Sequence, residues 1–319
     1  MFNNNDMEPE YIWTAYDFDI PRNELIKYRG KKIGFLLNEG FVLKNKPKTS
    51  FILGRNSEGK YLTYDLSELG SVLIAGEDGS PLLGDDMSGR YNFTESLVME
   101  YLVNTMPDED RLILIGNRSD WFHYRELPSP FVKVIDDPVI ALESLNKLLY
   151  RELVDRHILF ENTEDALQDP VGSIREFNNL IKKKGGKEMP YIMVVINELE
   201  DLMGKNCPDM EETIGRLANL GKSVGIFLVI CTRKVSGDIL TEWIKKNIPA
   251  RIVFRLKNKE DSITMLETPG AEDLKGRGDM LFQSDKGKPV MHLQAALLGM
   301  ESMDYIIWHY TKMKKDFYG

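Results

Sequence analysis

Met189 to Met203 reads M-P-Y-I-M-V-V-I-N-E-L-E-D-L-M, and Glu211 to Gly225 continues E-E-T-I-G-R-L-A-N-L-G-K-S-V-G. The run Tyr191 to Ile196 has no alternation of polar and apolar residues and contains two valines. That is the pattern of a strand covered on both sides, because a strand with one wet face alternates with period two. Asn197 and Glu198 close the run, and Glu211 to Leu220 follows with helical apolar spacing. A buried strand followed by a helix is half of a βαβ unit, and the rest of the chain repeats the theme.

Downstream, Gly225 to Cys231 (G-I-F-L-V-I-C) and Arg251 to Leu256 (R-I-V-F-R-L) are further buried runs. Upstream, Ser71 to Ala75, Arg111 to Ile115 and Phe131 to Ile135 read as strands, with helical spacing over Asn92 to Asn104. Asp137 as N-cap and Pro138 at the first helical position open a long amphipathic helix to Phe160. A second helix covers Ser173 to Lys183 before the Gly185-Gly186 stop. The alternation predicts an α/β fold, a mainly parallel sheet with helices on both faces.

The flanks read differently. Residues 1 to 30 are polar with Trp13, Tyr16 and Phe18 interspersed, an arm or strand, and the runs between Lys31 and Leu66 alternate around N-E-G and N-S-E-G-K turns, as in a small antiparallel sheet. Met300 to Gly319 carries an apolar face (Met303, Ile306, Ile307, Tyr310) followed by Lys312, Lys314 and Lys315. It reads as a docked terminal helix or as a surface for a partner or nucleic acid. The expected organisation is a β-rich segment over 1–66, an α/β domain over 67–299 and a C-terminal helix over 300–319.

With 319 residues, 42% hydrophobic and 29% charged, the chain is long enough for a large buried core. A net charge of −9 excludes a surface coated in basic residues, although a few lysines on inner loops suffice to hold a nucleic acid. Cys207 and Cys231 form no metal or disulfide framework, which points to a reducing compartment, and His123, His157 and His292 show no metal-ligand spacing. The absence of a signal-peptide pattern and of a long apolar run points to a cytoplasmic protein with no membrane segment of its own.

Five blocks, in order, resemble the FtsK/SpoIIIE-type DNA translocases. They are F-I-L-G-R-N-S-E-G-K-Y-L-T-Y-D-L-S-E-L-G-S-V-L-I-A-G from Phe51, Y-I-M-V-V-I-N-E-L-E-D-L-M from Tyr191, R-L-A-N-L-G-K-S-V-G-I-F-L-V-I-C-T from Arg216, I-K-K-N-I-P-A-R-I-V-F from Ile244, and E-D-S-I-T-M-L-E-T-P-G-A-E-D-L-K-G-R-G-D-M-L from Glu260. The resemblance spans residues 50–297 and implies a RecA-like P-loop NTPase fold. It also implies a homo-oligomeric ring motor, ATP or ADP as cofactor with Mg²⁺ in question, double-stranded DNA as a partner, and membrane-anchored, secretion or conjugation proteins that would recruit the chain to a membrane. Conjugative coupling proteins and type VII secretion motors belong to the same family.

In that family a glycine loop after the first strand cradles phosphates, a lysine reaches the β and γ oxygens, and a Ser or Thr ligates Mg²⁺. Two registers are open here. The octet 76–83 has Pro81, Leu82 and Leu83 where G-K-S is expected, whereas Gly84 to Tyr91 (G-D-D-M-S-G-R-Y) fits G-x4-G-R-Y directly before a helix. In the second register Gly84, Ser88, Gly89, Arg90 and Tyr91 are the nucleotide-binding candidates. Arg90 keeps the lysine's charge on a larger planar group, and the Tyr91 phenol is too long to place its oxygen where a serine Oγ sits.

The family's metal-binding aspartate and water-orienting glutamate align with Asn197 and Glu198, and its sensor glutamine aligns with Arg233. Four departures (Arg90, Tyr91, Asn197 and Arg233) fall where the chemistry is concentrated. The resemblance therefore implies a motor-fold protein of DNA or macromolecule translocation whose hydrolysis is weak or absent, a pseudo-ATPase. An active DNA-stimulated ATPase and a non-enzymatic adaptor are the alternatives. Arg251 and Arg255 stand where a ring motor presents an arginine in trans, or form strand-end salt bridges; Lys275 and Arg277 face a DNA channel or are solvated loop charge.

Overall fold

A computed structural model describes residues 47–77, 88–105, 110–127, 132–167, 170–203, 207–295 and 307. In chain order, the hairpin β1 (Ser50–Arg55) and β2 (Tyr61–Asp65) leads through the short helix α1 (Leu66–Leu69) to β3 (Val72–Ala75), α2 (Arg90–Asn104), β4 (Arg111–Ile115) and β5 (Val132–Ile135). Helices α3 (Pro138–Lys147), α4 (Leu153–Leu167) and α5 (Ile174–Lys183) precede β6 (Ile192–Ile196), α6 (Leu199–Leu202), α7 (Met210–Val224) and β7 (Ile226–Thr232). The chain continues through α8 (Glu242–Asn247), β8 (Ala250–Phe254), α9 (Lys259–Leu266), β9 (Asp279–Gln283) and β10 (Met291–Ala295).

The ten strands among the described residues form one sheet in the order β2-β1-β10-β9-β8-β3-β7-β6-β4-β5. The six from β8 to β5 are parallel and the rest antiparallel. Every residue of β3, β6, β7 and β8 is buried, in keeping with sequences that are apolar except at Thr232 and Arg251. Each such Val, Ile or Leu contributes about 1.5–3 kcal/mol relative to exposure.

The hairpin belongs to the same sheet, because β1 pairs with β10 (Gly54 opposite Ala295). The register irregularity of β1 falls between Ile52 and Gly54, and a Cβ on Gly54 would lie 2.2 Å from the Gln294 carbonyl oxygen. Residues 1–46 and, apart from Ile307, the segment 296–319 lie outside the described residues, so the arm, the first runs of the small sheet and the C-terminal helix are not described; Ile307 packs against the core.

The helix expected from Pro138 is found with its cap, the Asp137 side chain accepting from Val139 N and Ile140 N. It runs beyond Phe160 to Leu167, interrupted only by a π-helical turn over Leu148–Glu152, since neither Gly nor Pro follows before Pro170. Right-handed crossovers send α2 to one face of the sheet, as the chain moves from β3 outward to β4, and send α7 and α8 to the other, as it returns from β6 through β7 to β8. Helix α7 packs on α3, α4 and α8, in keeping with that division. Neighbouring strands whose connections leave to opposite faces open a crevice at their carboxyl ends, and β3 and β7 are such a pair.

Candidate functional site

The carboxyl ends of β3, β6 and β7 place Gly76, Asn197-Glu198 and Arg233 at that crevice, and α2 starts opposite them. Gly89 at the N-cap has φ of +86°, and a Cβ on it would meet Gly278 N at 2.4 Å, so this turn demands glycine on both counts. Ser88 Oγ accepts from Arg90 N, and Ser88 O accepts from Gly278 N. The first turn of α2 holds no acidic residue, and a helix N-terminus at the crevice suits an anion.

Arg90 turns inward and is 1% exposed. Its Nε donates to Gly76 O (3.1 Å), Nη1 to Asn197 Oδ1 (3.4 Å) and Nη2 to Glu198 Oε1 (2.6 Å). Glu198 adopts a left-handed backbone (φ 58°), a conformation that costs a non-glycine residue about 1 kcal/mol or more. Burial raises its pKa to about 7 against the opposing pull of Arg90. Its second oxygen lies 3.1 Å from Arg233 Nε without a directed hydrogen bond, and Arg233 Nε donates instead to Glu200 Oε1 (2.9 Å). Thr232 Oγ1 donates to the other oxygen of Glu200 (3.0 Å).

The β4 end adds a second layer that pattern reading missed. Asp120 Oδ2 accepts from Asn197 Nδ2 (3.0 Å) and Asn117 N (3.0 Å), and its carbonyl accepts from the Tyr91 hydroxyl (3.2 Å). Tyr124 donates to Glu95, whose burial lifts its pKa to about 7. The available signal for Asp120 was its place just beyond a buried strand, in G-N-R-S-D. For Glu95 it was an acid between Phe93 and Leu97 on an otherwise apolar helix face.

Of the expected site residues, Arg90, Asn197, Glu198 and Arg233 are brought together, Ser88 and Gly89 form the adjoining turn, and Tyr91 reaches the Asp120 side; Gly84 lies outside the described residues. Lys275 and Arg277 are exposed, on the loop whose Gly278 packs against Gly89. Arg255 is half-buried at the carboxyl end of β8, where its carbonyl accepts from Glu77 N. Arg251 sits nearer the other end of that strand, buried, donating to the carbonyls of Lys245 (2.6 Å) and Ala250 (3.3 Å), and desolvation lowers its pKa to about 10.

Among the described residues no group of three or more His, Cys, Asp or Glu is arranged to hold a metal, and no helix is long and apolar enough to cross a membrane. Mg²⁺ demands near-octahedral oxygen ligands at about 2.0–2.1 Å and favours carboxylates. Gly76 O, Asn197 Oδ1 and Glu198 Oε1 are each engaged by a nitrogen of Arg90, which leaves Glu198 Oε2 as the one carboxylate oxygen of these three residues not bound to it, beside Arg233, and the Tyr91 hydroxyl donates to the Asp120 carbonyl. As arranged, this donor set does not fit the ion.

The mostly parallel sheet, with its site at the strand ends facing a helix N-terminus, is a RecA-like P-loop NTPase fold. The profile of the FtsK/SpoIIIE family matches residues 42–237, and the chain belongs to that family. It is 33% identical over 298 residues to the DNA translocase FtsK of Clostridium tetani, covering 92% of this chain and 37% of that protein. To the DNA translocase SpoIIIE of Bacillus subtilis it is 31% identical over 282 residues, 86% of this chain and 34% of the other. The chain thus spans little more than a third of the length of these relatives.

Among solved structures, the pCW3 conjugation coupling protein TcpA, a monomer form with ATPγS, matches with a TM-score of 0.69 at 22% identity, over 85% of this chain and 72% of TcpA. The cytoplasmic domain of the type VII secretion ATPase EccC of Thermomonospora curvata gives 0.67 at 18% identity, over 84% and 32%. At those identities they support the fold alone.

Proposed function

We propose that this chain is a motor-fold subunit of DNA or macromolecule translocation, in conjugation, DNA transfer or secretion, whose own nucleotide hydrolysis is weak or absent. The observation that carries this reading is the ion pair between Arg90 and Glu198. The side chain aligned with the phosphate-binding lysine is bound to the carboxylate aligned with the water-orienting glutamate, so neither is free for its task. Phosphoryl transfer depends chiefly on positioned charge. Asn197 brings no charge to the metal position and Arg233 holds Glu200 where a sensor amide is expected, and both favour the same reading.

In this reading ATP or ADP binds weakly at Ser88 to Tyr91. Double-stranded DNA, a ring of like subunits and a membrane-anchored secretion or conjugation protein are the partners to test, in the cytoplasm. Arg255 as an arginine offered in trans, and Lys275 and Arg277 as DNA contacts, belong to the same proposal; Arg251, the other candidate for the trans role, is buried and bound to carbonyls of its own chain. Steady-state ATP turnover with and without double-stranded DNA tests it: the expected result is background turnover, unchanged in Glu198→Gln. Turnover at rates usual for the family, abolished by Glu198→Gln, establishes the active translocase instead.

A further inference from the structure

A guanidinium enclosed by three oxygens from two strand ends occupies the place where this fold keeps a cation. Arginine stays protonated at any physiological pH, so Arg90 carries its charge even though it is 1% exposed. Its three bonds, to Gly76 O, Asn197 Oδ1 and Glu198 Oε1, set that charge against oxygens of both strand ends. An aspartate at position 197 would cancel one positive charge and need a metal to restore it; Asn197 does not. Without metal, the site is therefore less repulsive to an anion than one built from a lysine and an aspartate. The anion paired with Arg90 is the protein's own Glu198, in a left-handed backbone conformation. The groups facing that carboxylate are Arg90 from α2, Arg233 from the end of β7 and Glu200 from α6.

We propose that the Arg90 guanidinium is the resident cation of this site, so that the phosphate groups of a nucleotide or polyphosphate bind without a divalent metal and in competition with the Glu198 carboxylate. This rests on the reading above that the turn at Gly89 receives phosphates. Two consequences separate it from ordinary P-loop binding. Divalent metal adds nothing to affinity, and neutralising Glu198 removes a competitor.

The test is isothermal titration calorimetry of the full chain with ADP and with inorganic tripolyphosphate, once in EDTA and once in excess Mg²⁺. The expected result is binding of both probes with dissociation constants that agree within about twofold between the two buffers, and about fivefold or more tighter binding to Glu198→Gln in EDTA. The double variant Arg90→Met/Glu198→Gln removes both charges together and so leaves neither buried unpaired. It is expected to keep its circular dichroism and lose binding.

Tightening by Mg²⁺ of about tenfold or more, no binding of either probe in EDTA, or wild-type affinity in the folded double variant overturns the proposal. ATP turnover that requires Glu198 overturns the proposed function whatever the titrations show. Mg²⁺-tightened ADP binding without turnover overturns only the resident cation.

Discussion

The two ends of the parallel strands both bury charge, but they do so with different partners. At the amino-terminal end Asp110, fully buried just before β4, accepts from Tyr191 N (2.6 Å) and pairs with Lys48 (3.0 Å). Beside it the Tyr101 hydroxyl donates to the carbonyls of Arg111 and Tyr191, and burial holds its pKa well above the usual phenol value. Main-chain groups dominate this end, and they cannot swivel away. At the carboxyl-terminal end Arg90, Glu198, Arg233 and Glu200 meet chiefly through rotatable side chains, and Glu198 sits in a left-handed backbone conformation. The same cost of desolvation closes the sheet at one end and maintains an exchangeable set of contacts at the other.

The largest expected contrast is in stability. Asp110→Ala strands Lys48 and the Tyr191 amide and costs about 3–5 kcal/mol, whereas Glu198→Gln keeps an acceptor for Arg90 and costs about 1–2 kcal/mol. Urea denaturation measures both, and equal losses would erase the distinction between a fixed end and an exchangeable one.

Next comes pH. The folded pKa of Glu95, about 7, exceeds its ordinary 4.5, so the folded chain retains this proton longer than the unfolded one does. The resulting stabilisation is complete below pH 4.5 and is lost as pH rises through about 7, a change of roughly 3 kcal/mol. Glu95→Gln should flatten the stability profile over that interval, and an unaltered slope would show that the carboxyl is ionised in the fold.

The smallest effect belongs to Arg233→Gln. Its side chain is 41% exposed, so solvent screens its pairs with Glu198 and Glu200 and the loss stays under about 1 kcal/mol. A loss several times larger, measured by thermal unfolding, would place Arg233 among the fixed structural charges.

The sheet's parallel half was legible because full burial writes itself as unbroken aliphatic runs. Strands β6, β7 and β8 begin within a residue of the runs that announced them. Strands β9 and β10 were not, since D-M-L-F-Q and M-H-L-Q-A are short and only half covered, and their identity comes from pairing with β8 and β1. Of the site, the positions of Asn197, Glu198 and Arg233 at strand ends followed from the runs before them. The inward turn of Arg90 did not, because it depends on the left-handed Gly89 and on oxygens more than a hundred residues away. Asp120 and Glu95 escaped for a related reason: loop and helix acids are usually solvated, and only tertiary packing selects these two.

The pairing of Gly54 with Ala295 also ties the fold to the order of synthesis. Strand β1 is made first of the described strands, yet its second neighbour, β10, is the last of them. At about 5–20 residues per second, the hairpin waits on the order of tens of seconds with one edge unmatched. Closing so long a loop adds little to the equilibrium cost, since each doubling of its length costs only about 0.6 kcal/mol, but it delays completion of the sheet. A nascent chain halted before β10 should therefore expose β1 to chaperones and to other nascent chains.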